Sequence, residues 1–220
     1  MGSRVTMRSM DSAFVLGELP PPPARVLEIG CGAGELARGL ADAGYDVLAI
    51  DPEPPKGAIF RRSTLEELDG PGPFDAVVAS YSLHHIHGLD AAVDRIGALV
   101  RPGGRLVLVE FSWERMDSDT ADWYLGQQLA LQAAGRLEEV PGSVEAALVE
   151  WDEEHRGLHT GEAMLASLGR RFRELRFERT PYLHRTLGGV ASEALERTLV
   201  DAGAIHALGL RWVGEPLQPH

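Results

Sequence analysis

The sequence predicts an α/β fold, a parallel sheet covered on both faces by helices. Three observations carry this. Short apolar runs without polar alternation recur between residues 25 and 111, as strands buried on both faces require. Helical patterns separate them, as crossover connections require. The first run ends in a glycine-rich turn that opens a helix, "VLEIGCGAGELA" at residues 26–37.

The elements follow in order. An N-terminal helix covers residues 7–19 and stops at "PPPP", a stiff connector to the first strand. "ARVLEIG" is a buried strand and "GELARGLADAG" a helix closed by Gly44. "YDVLAID" is a strand, "AIFRRS" a short one, and "TLEELDG" a helical turn or two. "FDAVVASY", "DAAVDRIGALV" and "GRLVLVEF" read as strand, helix and strand. Residues 117–169 then carry helical segments broken at "EVPGS" and near residues 157–161. We expect them to form a helical lid or insertion, because loops over the carboxyl ends of parallel strands carry ligand sites. "RFRELRFERTPYL" alternates like an edge strand. "SEALERTLVDAG" is a helix with Ser192 as N-cap and Gly203 as C-cap, and "IHALGLRWVG" is the last strand. The 220 residues make a single domain, with residues 1–23 as its N-terminal helix and connector.

Composition excludes several classes of function. The net charge of -12 is spread along the chain, a surface that repels phosphate backbones and anionic membranes. The single cysteine, Cys31, cannot form an internal disulfide. No run of about 18 apolar residues is present, and the N-terminus lacks the apolar core of a signal peptide. The expected location is cytoplasmic.

Glycine is used where a backbone turns tightly, takes positive φ, or lies against a ligand. Gly30, Gly32 and Gly34 stand between a buried strand and a helix whose first N–H groups have no intrahelical partner. Without a ligand such a loop is only a tight turn. Its spacing is G-x-G-x-G, not the G-x-G-x-x-G of dinucleotide binders, and it lacks the P-loop lysine. Glu28 sits where a pyrophosphate would be repelled and a cationic ligand tolerated. Asp51 ends the second strand, where a carboxylate accepts hydrogen bonds from both hydroxyls of a ribose; as a purely structural residue it would cap the turn at Pro52.

Together "VLEIGCGAGELA", "LAIDPEP", "FDAVVASYSLHHI" and "LVRPGGRLVLVEF" resemble, in order and spacing, the class I S-adenosylmethionine-dependent methyltransferases, across residues 25–111. The resemblance implies a Rossmann-like, seven-stranded, mostly parallel sheet ending in an antiparallel hairpin. It implies that Glu28, Gly30, Cys31 and Gly32 hold the methionine part of S-adenosyl-L-methionine. Asp51 binds the ribose, Pro52 packs beside the adenine, and Thr64 and Leu65 edge and cover it. Many relatives carry an acid where Thr64 stands; a threonine meets the adenine edge through its hydroxyl. Ser80 and Tyr81 approach the amino-acid portion or the sulfonium.

Methyl transfer from a sulfonium is an in-line displacement in which the protein aligns the acceptor and excludes water, with a base where the acceptor is protonated. "YSLHHIHG" follows the fourth strand. His84 and His85 are the candidate bases, against the alternative of a histidine packed on the fold. His85 and His87 lack the partners of a zinc site, and no metal is expected. Trp151, His155 and His159 are spaced four apart, either a lid face over the acceptor or an amphipathic surface helix weakened by Gly157. Trp123, Tyr124 and Tyr182 are candidates for an apolar acceptor pocket or for core. The expected function is methylation of a small organic molecule by a monomer or homodimer, without nucleic acid or membrane. The alternatives are a binding protein of the same fold without catalysis and an NAD-dependent oxidoreductase, which the glycine spacing and Glu28 oppose.

Overall fold

The computed structural model describes residues 4–70, 72–188 and 190–217. Helix α1 (Arg4–Glu18) precedes β1 (Arg25–Ile29), α2 (Glu35–Asp42), β2 (Asp46–Asp51), β3 (Phe60–Arg62) and β4 (Phe74–Ser80). Then come α3 (Leu89–Leu99), β5 (Val100–Phe111), α4 (Ser118–Ala133), α5 (Val144–Glu154) and α6 (Gly161–Arg171). The chain closes with β6 (Phe172–Thr180), α7 (Val190–Asp201) and β7 (Gly209–Pro216). The strands form one sheet in the order β3-β2-β1-β4-β5-β7-β6. β1 to β5 are parallel where they pair, and β7 lies antiparallel between β5 and β6. The last two strands therefore pair as a hairpin would, but α7 joins them.

The period of two along each strand divides the core. Leu27, Val77, Leu106 and Leu108 face one side, where Val93 and Ile96 of α3 and Met164 and Leu168 of α6 cover them. Val26, Val47, Val78 and Val107 face the other, under Phe14 and Val15 of α1 and Ala37 and Leu40 of α2. The 117–169 segment is thus not uniform, since α6 packs into the main core. α4 and α5 instead roof a third cluster beyond the end of β5, built on Phe111, Trp151, Leu183, Leu187 and Leu208.

Two expected details differ. "TLEELDG" forms a turn and no helix. Thr64 and Glu67 bond reciprocally, side chain to N–H, as in a capping box, but the chain breaks at once at Gly70 with φ 83°. Ser192 lies inside α7, which starts two residues earlier, and its hydroxyl donates to Leu187 O. Strand β6 is the sheet edge; its shift between Glu174 and Arg176 and its run of charges discourage pairing with another chain.

Candidate functional site

The site lies beyond the carboxyl ends of β1, β2 and β4. The N–H groups of Gly30 and Cys31 both donate to Ile50 O, at 2.9 and 3.1 Å, which ties the glycine loop to β2. Gly30 and Gly34 are demanded by space as well as by positive φ. A Cβ on Gly30 would collide with Ser82, and one on Gly34 would meet the Phe60 ring. Gly32 is different. It has φ 49°, and nothing lies within 4 Å of the place its Cβ would take. That open space is the cleft itself.

Two cavities meet there. The first, about 250 Å³, lies between α1, the glycine loop and the end of β4. It is lined by Glu28, Gly30, Cys31, Gly32, Ser80 and Tyr81. The second, about 490 Å³, is lined by Gly30, Gly32, Asp51, Pro52, Thr64 and Leu65. All ten residues expected to hold the cofactor therefore line one cavity or both, and Gly30, Gly32 and Tyr81 belong to both.

Asp51 anchors the second cavity. Its Oδ2 accepts from Gly32 N–H and its Oδ1 from Glu53 N–H, both at 2.8 Å. Each oxygen keeps acceptor capacity for one further donor. Thr64 accepts from Glu67 N–H and keeps its hydroxyl proton to donate. Glu28 is buried, 3% exposed, on the wall of the first cavity. Burial, then the charges of Glu28 and Asp51, push the Cys31 thiol up to about 12, so it stays protonated.

Tyr81 is the one non-glycine residue with positive φ among the described residues, 52°. Such strain persists where surrounding structure enforces it. Its N–H donates to Val109 O at 2.8 Å, its hydroxyl donates to Asp11 Oδ2 at 3.3 Å, and the Arg185 guanidinium lies 3.9 Å over its ring. Burial, then Asp11, drives its phenol well above the ordinary range.

The two candidate bases separate. His84 is buried, and its Nδ1 donates to Glu110 Oε2 at 2.6 Å. It lines neither cavity, and its ring is packed against Glu110. His85 lines the second cavity with His87. Burial, then the neighbouring His84, holds the His85 imidazole below its ordinary 6.5.

Trp151, His155 and His159 do not share one helical face, because α5 ends at Glu154 and Gly157 takes φ 92°. Trp151 and His155 stay together, with ring centroids 4.1 Å apart, and His159 turns to the loop after β4. Trp151 Nε1 donates to Trp113 O at 2.9 Å, and His155 Nδ1 donates to Trp151 O at 2.7 Å. His159 donates through its ring to Ile86 O and through its backbone to His84 O. Trp123, Tyr124 and Tyr182 pack partly buried around the same third cluster, where Phe111 and Tyr182 stack with centroids 4.3 Å apart.

The sequence reading missed four residues: Glu110, Glu196, Asp11 and Arg185. Glu110 is fully buried and accepts from the N–H groups of Ser82 and Leu83 at 2.8 and 2.7 Å. Glu196, equally buried, accepts from the N–H groups of Tyr182, Leu183 and His184 and from the His184 ring. Each carboxylate thus clamps a 3₁₀ turn after a strand and holds the same Leu-His pair, Leu83-His84 and Leu183-His184. The residue that follows each pair, His85 or Arg185, reaches a cavity. The recurrence of "SLHH" and "YLHR" was the available signal.

Comparison with known proteins agrees with this architecture. A family model described as a methyltransferase domain matches residues 9–159. A ubiquinone biosynthesis O-methyltransferase of Xylella fastidiosa is 37% identical over 108 residues, 42% of this chain and 44% of that protein. The chain's match thus spans less than half the length of this relative. The crystal structure of an S-adenosylmethionine dependent methyltransferase from Mesorhizobium loti aligns with a TM-score of 0.58 and 18% identity, over 92% of this chain and 95% of that one. The 1,6-didemethyltoxoflavin-N1-methyltransferase of Burkholderia thailandensis, solved with 1,6-didemethyltoxoflavin and S-adenosylhomocysteine bound, aligns with a TM-score of 0.56 and 22% identity, over 96% and 78%. At these identities the two structures establish likeness of fold. The match over most of the chain, on a sheet of this strand order, makes the protein a member of the class I S-adenosylmethionine-dependent methyltransferase family.

Proposed function

We propose that the protein transfers the methyl group of S-adenosyl-L-methionine to a small organic acceptor. The observation that carries this is the pair of cavities joined at Gly30, Gly32 and Tyr81, with a carboxylate in each. The donor set fits the group. Glu28 faces the first cavity, where an ammonium would be paired. Asp51 faces the second, where two hydroxyls would find acceptors. The space above Gly32 admits a ligand against the backbone.

When bound, the cofactor supplies a methyl already activated on a sulfonium. The chain's own part is to bind, orient and exclude water. Glu28 and Asp51 fix the two ends of the donor. Tyr81, shared by both cavities, stands where they meet. Its phenol stays protonated and serves as wall and hydrogen-bond donor, not as base. His85 stays neutral at pH 7, because burial disfavours its charged form, and so accepts a proton from an acceptor hydroxyl or amine. The aromatic cluster under α4 and α5 packs beside Tyr81 and would keep water from that side of the cleft.

The acidic surface supports a small-molecule acceptor over nucleic acid. Among the described residues no helix is long and apolar enough to cross a membrane. Calorimetry with S-adenosylhomocysteine and with NAD tests the reading: micromolar binding of the first without the second supports it, and equal or better binding of NAD overturns it.

A further inference from the structure

We propose that Arg185 is the receptor for a ligand carboxylate in the first cavity, and that Asp11 of α1 occupies this receptor until the ligand arrives. The inference rests on the donor-binding reading above and adds to it a residue pair and an exchange.

Arg185 is the one cation among the residues that line the first cavity. Glu28 lines the same cavity. Asp11 and Glu35 line it too, so Arg185 is the single positive partner a ligand carboxylate finds there, while Glu28 is placed to pair with an ammonium. The guanidinium is held in place from below. It stacks 3.9 Å from the Tyr81 ring, and its backbone belongs to the turn clamped by buried Glu196. Its hydrogen-bond partner among the described residues is Asp11 Oδ2, 3.2 Å from Nη1. A guanidinium has five N–H donors, so most of its capacity remains to be used.

Asp11 can let go at low cost. Its Oδ1 accepts from Arg211 Nη2 at 2.9 Å and Nε at 3.3 Å, and its Oδ2 also accepts from the Tyr81 hydroxyl. Losing Arg185 would leave the Asp11 carboxylate paired with a second arginine, so no buried charge is stranded. An incoming carboxylate would replace one ion pair by another on Arg185, and α1 would be freed from this anchor to the cleft. The carboxylate comes either from the methionine part of the donor or from the acceptor; both would use the same guanidinium.

The test uses the full chain and calorimetry. S-adenosylhomocysteine is titrated against its decarboxylated analogue, in the wild type, Arg185→Gln and Asp11→Asn. Benzoate is then titrated into protein saturated with S-adenosylhomocysteine. If the donor is the source, Arg185→Gln weakens S-adenosylhomocysteine roughly ten-fold or more, the scale of one charge-assisted hydrogen bond. The decarboxylated analogue is then unchanged, and Asp11→Asn tightens S-adenosylhomocysteine a few-fold by removing the competitor. If the acceptor is the source, Arg185→Gln leaves S-adenosylhomocysteine unchanged and abolishes benzoate binding, which Asp11→Asn strengthens. Unchanged affinity for both ligands in Arg185→Gln overturns the inference. So does an Asp11→Asn variant that binds more weakly, since Asp11 would then only orient the arginine. A wild type that binds S-adenosylhomocysteine but shows no Arg185 effect refutes this inference alone. A wild type that binds neither nucleoside refutes the donor-site reading beneath it.

Discussion

His84 Nδ1 stands 2.6 Å from Glu110 Oε2, and neither side chain is open to solvent. The other carboxylate oxygen takes the N–H groups of Ser82 and Leu83. One buried acid at the end of β5 thus holds the whole turn after β4, and through it places Tyr81 and His85 at the cleft. Glu196 does the same for the turn that carries Arg185.

Glu110→Ala should therefore be a severe folding variant. It strands the backbone N–H groups of Ser82, Leu83 and His84 and an imidazole, and we expect a loss of about 3–5 kcal/mol. Glu110→Gln keeps an acceptor oxygen and should lose less. Urea denaturation measures both, and an alanine variant as stable as wild type would show that the clamp does not hold the turn.

The second clamp should appear as acid sensitivity. Burial works against ionising Glu196, but hydrogen bonds from the His184 ring and from the N–H groups of Tyr182, His184 and Leu183 outweigh it and hold the carboxyl below its ordinary 4.5. A carboxylate with a lower pKa in the folded state contributes stability above its unfolded value, lost as pH falls through the folded value. The contribution should be complete above pH 4.5 and fade below it. Glu196→Gln should be less stable at neutral pH and show a flatter acid limb. The same acid slope in both proteins would contradict the assignment.

His85 gives a pH signature in turnover. Its imidazole titrates below 6.5, so it is neutral and able to accept a proton at pH 7. Rate should be full at neutral pH and fall on the acid side with a midpoint below 6.5. His85→Asn should lower turnover by about 10²–10⁴-fold for an acceptor that loses a proton, and remove that acid limb. A variant with unchanged rate and profile would move the base elsewhere.

The roof should move before the sheet does. Trp151 is 6% exposed and is tied by its Nε1 to Trp113 O. α6, with Met164 and Leu168 in the main core, should stay as protected as β4. Hydrogen exchange should be fast in α4 and α5 without ligand and slow when cofactor and acceptor are present. Trp151→Phe, which removes only the indole tether, should speed exchange in residues 144–154, alter acceptor turnover and leave cofactor affinity unchanged. Equal protection of α5 and β4 in the free protein would make the roof mere packing.

What the sequence revealed follows from the distance over which each interaction acts. The strands were legible because Val26, Leu27, Val77 and Val78 need burial on both faces, and that need is written locally. Gly30, Gly32 and Gly34 were legible for the same reason, since positive φ is a demand of the backbone. Glu110 was not, because in "LVEF" it looks like any acid at a strand end, and its partners Ser82 and Leu83 lie 28 and 27 residues away. Asp11 and Arg185 are separated by 174 residues and meet only when α1 crosses the sheet. The turn at residues 65–67 misled in the other direction. Thr64 and Glu67 begin a helix cap correctly, but Gly70 ends the segment before a helix can form.

The central claim is that the cleft at Gly32 holds the nucleoside donor, and calorimetry with S-adenosylhomocysteine tests it most directly. Asp51→Ala removes the carboxylate that faces the second cavity and should weaken binding by about 1–3 kcal/mol. Gly32→Val should bind more weakly still, because a branched Cβ would fill the space that is now open at φ 49°. Circular dichroism should show both variants folded. Folded variants that bind S-adenosylhomocysteine as tightly as the wild type would place the donor site outside this loop and contradict the account.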